Sequence, residues 1–191
     1  MDFPENGQAA VRGRFVHPLG AGQTAAALDL VERVFAAHGG AEEGRRVRAL
    51  AEEIRAKFHV PALELVAEED GALVGYAMFS RFPFGGTCAD GLLLLSPVAV
   101  RTDRQRRHVS RDLIEFGLER AQAMGFRAVI VEGNPKNYAA RGFVPSYRFG
   151  ITAGASLRLP SPDCLMVREL YDGALGTVRG TVDYSCYDSL R

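Results

Sequence analysis

The stretch PVAVRTDRQRRHVSRDLIEFGLERAQAMGFRAVIVEGNPKNYAARGF, residues 97–143, decides the fold of this chain. It begins at the end of an apolar strand and continues through an arginine-rich turn, an amphipathic helix and a second apolar strand. A strand, a helix and a strand in this order predict a parallel or splayed pair of strands with a right-handed crossover. The cationic turn lies at the start of the helix, where backbone N–H groups can bind a phosphate group.

Hydrophobic spacing and turn residues predict the other elements around this unit. Helices are expected at residues 24–38, 42–58, 109–124 and about 136–141. Strands are expected at residues 10–16, 63–68, 73–79, 92–100 and 128–131, near Ile151, and at residues 165–169. The turn at residues 69–71 makes the second and third strands an antiparallel hairpin. The prediction is a mixed α/β (α+β) fold around one sheet, with helices on both faces.

Length and composition exclude several classes of protein. The 191 residues are enough for one domain with a sizeable core. Lysine plus arginine and aspartate plus glutamate both number 23, so no bulk charge favours nucleic acid. The longest apolar run is far shorter than a membrane span, and we expect no membrane partner. Cys88, Cys164 and Cys186 lack metal-ligand spacing, which predicts no metal site. Their odd number, with no secretory leader in the sequence, predicts reduced thiols in the cytoplasm.

The arginine-rich turn is a candidate pyrophosphate site. The backbone amides at the helix start and the side chains of Arg104, Arg106 and Arg107 can all bond phosphate oxygens. The residues expected to contact such a group are Gln105, Arg106, Arg107, His108, Val109, Ser110 and Arg111. The alternative is a solvated basic turn in which Ser110 or Asp112 simply favours the helix dipole.

Two further features lie beside this unit. Glu132 ends the second apolar strand, where it is either a general base or an ordinary surface carboxylate. The loop at residues 81–89 carries Phe82 and Phe84, which either wall an acceptor pocket or anchor the loop by packing.

The turn resembles that of the GCN5-related N-acetyltransferases. That family has Gln or Arg, two residues, Gly, one residue, then Gly or Ala after its central strand. Gln105 fits this pattern, while His108 and Ser110 stand at the two small-residue positions. Arg106 stands where some members carry a further glycine.

A second motif and the tail carry the resemblance further. Tyr138-Ala139-Ala140-Arg141-Gly142-Phe143 matches the family's Tyr, three residues, Gly-Phe. The YhbS-like subgroup of predicted N-acetyltransferases has similar tail segments, which here read Met166-Val167-Arg168-Glu169-Leu170, Gly173-Ala174-Leu175 and Gly180-Thr181-Val182-Asp183-Tyr184. The similarity therefore extends over about residues 10–190. Asn134, Asn137 and Arg141 depart from the subgroup's usual residues.

The resemblance implies an acyl-CoA N-acyltransferase fold, with a central, mostly antiparallel mixed sheet flanked by helices. It implies one such domain over residues 1–191, with an extension at about 171–191. The strand residues Val98, Ala99 and Val100 would contact acetyl-CoA, and the amides of Val98 and Val100 would polarise its acetyl carbonyl. Asn134 would also contact acetyl-CoA. Tyr138 would protonate the departing thiolate, although an aromatic that packs a short helix would have the same spacing.

Two functions follow from these observations. The first is an acetyl-CoA-dependent N-acetyltransferase, in which the amine of a small molecule or peptide attacks the thioester directly in a ternary complex. The second is a non-catalytic binding module on the same fold, whose turn no longer holds CoA. The resemblance also implies a homodimer as one option for the oligomeric state.

Overall fold

One eight-stranded sheet organises the chain. The computed structural model describes residues 9–11, 13–88 and 91–190, the first three by their backbone alone. Its strands are β1 (Ala9–Val11), β2 (Arg14–Pro18), β3 (Glu64–Glu69), β4 (Ala72–Arg81), β5 (Leu92–Val100), β6 (Ala128–Glu132), β7 (Val144–Pro145), β8 (Ile151–Ala153), β9 (Leu165–Glu169) and β10 (Gly180–Val182). The helices are α1 (Thr24–Phe58), α2 (Val109–Ala123) and α3 (Pro135–Tyr138).

The strand order is β1-β2-β3-β4-β5-β6-β9-β7, and β10 and β8 form a separate parallel pair. Within the large sheet, the described pairs are antiparallel except β5 with β6. These two strands are parallel neighbours, and α2 connects them along the chain. The predicted mixed, mostly antiparallel sheet and its crossover are therefore confirmed. Because α2 connects β5 and β6, the chain between them crosses one face of the sheet.

Alternation along β4 places one apolar cluster on each face of the sheet. Tyr76 and Met78 pack on the face covered by α1, with Leu30 and Ile54. Ala77 and Phe79 pack on the face covered by α2. At Gly117 of α2, a Cβ atom would lie 2.1 Å from the Phe79 ring, so the helix approaches the sheet closely there. The prediction of helices on both faces is confirmed.

The first predicted strand is wrong. Residues 10–16 were expected to form one strand, but β1 and β2 pair antiparallel, with Val11 opposite Arg14. Gly13 has φ = 80°, a left-handed conformation that reverses the chain direction. The two predicted helices at residues 24–38 and 42–58 form α1, which breaks at Gly40 with φ = 87° and ψ = 170°. The glycine pair thus separates two helical segments, as predicted.

The β5 strand leaves β6 after a short pairing. Their register runs from Leu92 opposite Ala128 to Leu94 opposite Ile130 and then stops. On its other edge β5 pairs with β4 through a register shift that places an extra residue near Pro97. A proline supplies no N–H to the ladder and suits such a bulge. Beyond Leu94, no described strand occupies the β6-facing edge of β5.

The segment after Leu170 packs back onto α1. Glu53 of α1 accepts the backbone N–H groups of Asp188 at 2.7 Å and Ser189 at 2.9 Å, as well as the Lys57 ammonium at 2.5 Å. Tyr187 is almost fully buried against this helix. The sequence indicated only a glycine-containing tail here, because the contacts that hold it are more than 120 residues apart in the chain.

Within the described residues, no helix combines the length and the apolarity needed to cross a lipid bilayer.

Glu53→Gln should weaken the docking of the tail. Burial opposes ionisation of the Glu53 carboxyl, but the bonds from Lys57, Ser189 and Asp188 outweigh it and lower its pKa to about 2. A lowered pKa stabilises the folded tail above about pH 4.5, and this contribution is lost as the pH falls towards 2. We expect faster amide exchange at residues 187–190 in the variant at pH 7, measured by mass spectrometry.

The matched control is Glu52→Gln, because Glu52 pairs with Arg48 on the helix surface at 3.1 Å. Equal exchange in the two variants would contradict the role of the Glu53 carboxylate. So would wild-type protection factors that stay unchanged between pH 5 and pH 2 after correction for the pH dependence of intrinsic exchange.

Candidate functional site

Two cavities lie along β5 at the point where it separates from β6. The first, which we call the turn cleft, has a volume of about 730 Å³ and lies between β5, the start of α2, and α3. The second, which we call the tail cavity, has a volume of about 470 Å³ and is lined by β5, the end of β6 and the C-terminal segment. Val98 and Val100 line the first, whereas Leu94, Leu95 and Ser96 line the second. The two cavities thus follow one another along a single strand.

The turn cleft contains most of the residues predicted to contact a cofactor. Those that line it are Val98, Val100, Gln105, Arg106, His108, Val109, Ser110 and Tyr138. Four predicted residues do not line the cleft. Ala99 is buried on the α1 face, and Arg107 is exposed outside the cleft. Arg111 forms an ion pair with Asp112, and the Asn134 side chain accepts a hydrogen bond from the Lys136 N–H. Sequence reasoning missed Lys136, Arg141 and His38, which reach the cleft from α3, the turn after it, and α1.

The charge of the turn cleft is one-sided. Arg104, Arg106, Lys136 and Arg141 line it, and among the described residues no carboxylate does. Arg104 is already paired with Glu69 at 2.8 Å and with Asp103 at 2.9 Å. Arg106 is exposed and makes no ion pair with any described carboxylate. A cleft with several cations at a helix start is suited to a multiply charged anion.

The backbone of the turn adopts a conformation that usually belongs to glycine. Arg106 has φ = 61° and His108 has φ = 64°. In the described part of the chain, Asp70 is the one other non-glycine residue with positive φ. A left-handed conformation costs such residues about 1–2 kcal/mol each. His108 stands where the resembled family carries glycine, and Arg106 where some of its members do, so the turn retains its shape without the usual residues.

An ion network holds both ends of this strained turn. Before the turn, Arg104 pairs with Glu69 of β3. After it, Asp112 in the first turn of α2 accepts Arg14 of β2 at 2.5 Å, and Arg14 also pairs with Glu69 at 2.6 Å. The pKa of the Glu69 carboxyl is lowered, chiefly by the hydrogen bond from Arg14 and also by that from Arg104. Because both flanks are fixed to the same glutamate network, the residues between them have little freedom to relax.

The free edge of β5 presents backbone donors to the turn cleft. Arg101 donates its N–H to Val74 of β4 at 2.9 Å. The direction of the backbone N–H groups alternates along a strand, so the N–H group of Ala99 also points to β4. The N–H groups of Val98 and Val100 therefore point away from β4, towards the edge of β5 that β6 no longer pairs with.

Tyr138 is held at the cleft by its ring. A Cβ atom on Gly133 would lie 2.6 Å from this ring, and Phe143 contacts it edge-on with centroids 5.7 Å apart. Within the described structure the phenol oxygen makes no hydrogen bond, although the side chain lines the cleft. Burial raises the pKa of Tyr138, and the charge of Arg141 partly offsets this. The phenol therefore stays protonated well above neutral pH.

Glu132 lies in the tail cavity at the end of β6. It is the one carboxylate among the described residues that line this cavity. Its side chain is exposed, yet the surrounding protein raises the pKa of the carboxyl by desolvation. Burial also raises the pKa of Tyr184, and the Glu132 charge adds to this effect, which indicates that the two side chains are neighbours.

The loop at residues 81–88 does not wall this cavity. Phe82 and Phe84 are 1% and 5% exposed and belong to the core on the α1 face, so they anchor the loop by packing. The tail contributes the aromatic wall of the cavity, through Tyr184 and Tyr187. Tyr184 lies in one of the tail motifs, but its contact with the end of β6 has no local signal in the sequence. Residue 89 lies outside the described residues.

Comparison with models of protein families matches residues 28–150 to the acetyltransferase (GNAT) family. The chain belongs to the GNAT acetyltransferase family. The match includes β5, the strained turn, α2 and Tyr138. The resemblance deduced from the turn and the Tyr138 motif is therefore confirmed.

Two proteins of Escherichia coli K12 share this GNAT region. The uncharacterised N-acetyltransferase YjhQ is 35% identical over 120 residues, which are 62% of this chain and 65% of YjhQ. The uncharacterised N-acetyltransferase YhbS is 31% identical over 126 residues, which are 64% of this chain and 71% of YhbS. The chain thus spans just under two thirds of the length of YjhQ.

Solved structures of GNAT proteins share the fold. The crystal structure of E. coli YhbS in complex with CoA aligns with a TM-score of 0.73 and 23% identity, over 92% of both chains. That of a GNAT acetyltransferase from Brucella melitensis, in complex with acetyl-CoA, aligns with a TM-score of 0.58 and 31% identity, over 68% of this chain and 82% of that chain. These alignments confirm the predicted acyltransferase fold.

The strain at His108 predicts an unusual order of stability between two variants. His108→Gly should be more stable than His108→Ala by about 0.5–1 kcal/mol, because glycine adopts positive φ without the cost of about 1–2 kcal/mol. At an ordinary position the order is reversed. The measurement is the free energy of unfolding in urea.

Arg107 provides the matched control, since it lies in the same turn without positive φ. There, the glycine variant should be the less stable of the pair. If the His108→Ala variant is at least as stable as the His108→Gly variant, the turn is not strained at that residue.

Proposed function

We propose that this GNAT protein is an acetyl-CoA-dependent N-acetyltransferase that acts on the amine of a small molecule or peptide. The observation that carries the proposal is the turn cleft, which joins a cationic helix start to an unpaired strand edge. The family match and the CoA complexes of two structural relatives support the same function.

The residues of the turn cleft suit acetyl-CoA. The N–H groups at the start of α2, with Arg106 and Gln105, would hold the pyrophosphate. The N–H groups of Val98 and Val100 would bind the pantetheine arm and the acetyl carbonyl along the free edge of β5. When bound, acetyl-CoA would supply an activated acetyl group, which we place at the boundary between the two cavities.

The proton transfers are assigned to two side chains on opposite sides of that boundary. Glu132 would accept the proton that the attacking amine must lose, and its raised pKa makes it a stronger base than an ordinary carboxylate. Tyr138 would donate its phenol proton to the departing thiolate. We infer that the GNAT region and the segment at residues 171–191 act as one domain, because the tail lines the cavity that contains Glu132.

Tyr138→Phe should reduce turnover about 10²-fold or more, the usual scale for the loss of a positioned acid. Acetyl-CoA affinity should change little, because the ring and its contact with Phe143 remain. Turnover is followed by thiol release with an amine panel, and affinity by the rise in melting temperature with acetyl-CoA.

Tyr171→Phe is the control, since Tyr171 is 49% exposed and lines neither cavity. Full turnover in Tyr138→Phe would assign the ring a packing role. Stabilisation by acetyl-CoA without turnover of any amine would favour a non-catalytic binding module. No stabilisation at millimolar acetyl-CoA would exclude the acetyltransferase and leave the module whose turn no longer holds CoA.

Glu132→Gln should remove the acidic limb of the pH–rate profile. The wild type should lose kcat/KM as the pH falls through the raised pKa of Glu132, because the protonated carboxyl cannot accept a proton. This limb should lie above the ordinary carboxyl value of about 4.3. In the variant, turnover should fall about 10²–10⁴-fold and the limb at the Glu132 pKa should disappear, which leaves only the ionisation of the acceptor amine itself.

Glu119→Gln, an exposed glutamate of α2, should keep the wild-type profile. An acidic limb that persists unchanged in Glu132→Gln would move the role of base to another group or to water.

A further inference from the structure

The tail cavity carries charges of both signs that do not neutralise each other. Arg46 of α1 and Arg158 of the loop before β9 line it together with Glu132. Neither arginine forms an ion pair with Glu132, and within the described residues Arg158 has no ionic or hydrogen-bonding partner. Arg46 uses Nε and Nη2 to bind Glu43, at 2.9 and 3.0 Å, which leaves its Nη1 group for another acceptor.

The loop that carries Arg158 is fixed to the tail. Ser156 Oγ accepts the Tyr184 N–H at 2.8 Å, and Gly154 donates its N–H to Val182 at 2.8 Å. Leu157, beside Arg158, is 9% exposed and anchors the loop in the core. Arg158 is therefore an exposed residue directly after a segment that is anchored at Gly154, Ser156 and Leu157, which is a suitable base for a binding residue.

The floor between these charges is apolar. Leu50, Ile54, Leu94, Leu95 and Leu157 line the same cavity. A volume of about 470 Å³ is in the range of small-molecule sites. The cavity therefore combines one carboxylate, two cations and an apolar surface in a space that fits a molecule of modest size.

We propose that the acceptor is a free amino acid with an apolar side chain, whose carboxylate binds Arg158 and Arg46 while its amine lies at Glu132. This inference rests on the acetyltransferase function proposed above. The planar guanidinium of arginine binds a carboxylate through two parallel hydrogen bonds, which a neutral amine cannot provide. Polyamines would bring further positive charge next to two arginines and are disfavoured by repulsion.

The reaction that follows is balanced without a further reactant. The amine nitrogen forms a bond to the acetyl carbon, and the carbon–sulfur bond breaks. The amino acid reacts with its amine in the neutral form, after its ammonium group has lost one proton to solvent. One proton then passes from the attacking nitrogen to Glu132 and one from Tyr138 to the sulfur. A proton returned through solvent from Glu132 to the Tyr138 phenolate restores both side chains. The products are an N-acetyl amino acid and the free thiol of CoA.

The test compares matched acceptors with the full chain and acetyl-CoA. Thiol release is measured with the twenty protein amino acids, with leucinamide and phenylalaninamide, and with spermidine. We expect kcat/KM for leucine or phenylalanine to exceed that for the corresponding amide at least tenfold, and spermidine to be the poorest acceptor.

Arg158→Gln should then lower kcat/KM for the amino acid about tenfold or more, mainly through a higher KM, because it removes a charge-assisted bond to the substrate. The loss for the amide should be much smaller. Arg46→Gln should act in the same direction. The controls are Arg148→Gln and Arg45→Gln, which change exposed arginines outside the cavity lining.

The outcomes separate the two proposals. Efficient acetylation of amides or spermidine, or of no amino acid at all while acetyl-CoA still stabilises the protein, would overturn the substrate class and leave CoA binding intact. An amino-acid preference that survives Arg158→Gln and Arg46→Gln would overturn the role of the arginines. No stabilisation by acetyl-CoA would overturn the acetyltransferase function and the substrate inference with it.

Discussion

The separation of β5 from β6 after Leu94 and Ile130 is the constraint on which the rest of the structure depends. Parallel strands that part leave backbone donors without partners, and buried donors of this kind need a ligand or water. The parting opens the turn cleft on one side of the bulge near Pro97 and the tail cavity on the other. A single irregular strand therefore positions both proposed substrates.

The turn at residues 105–108 shows how a loop can keep its function-related shape without its usual residues. Arg106 and His108 adopt left-handed conformations that glycine adopts at little cost. The surrounding ion network of Arg14, Glu69 and Asp112 holds the flanks and offsets the strain. Side chains at these positions limit how closely a phosphate group can approach the backbone, but Arg106 adds a cation to the cleft. Cofactor binding would then depend more on guanidinium contacts than is usual for a glycine-rich turn.

The C-terminal segment has a functional consequence beyond packing. It is held to α1 by Glu53 and Lys57 and to the loop before β9 by Ser156. Through these contacts Tyr184 and Tyr187 close the cavity in which Glu132 lies. The proposed acceptor site is thus assembled from five parts of the chain: α1, β5, the end of β6, the loop before β9 and the C-terminal segment. Substitutions at Glu53, which lines neither cavity, should therefore weaken acceptor binding by loosening the tail.

The sequence by itself determined the order of the main strands and helices along the chain, the crossover, the arginine-rich turn proposed to bind phosphate, and the candidate acid, because each leaves a local pattern of spacing. It also placed Glu132 at the end of a strand. Only the tertiary structure decided that β1 and β2 form a hairpin, that His38, Lys136 and Arg141 reach the turn cleft, and that Arg46 and Arg158 meet Glu132 in one cavity. These contacts join residues that are distant in the chain, and no local periodicity records which side chains a folded sheet brings together.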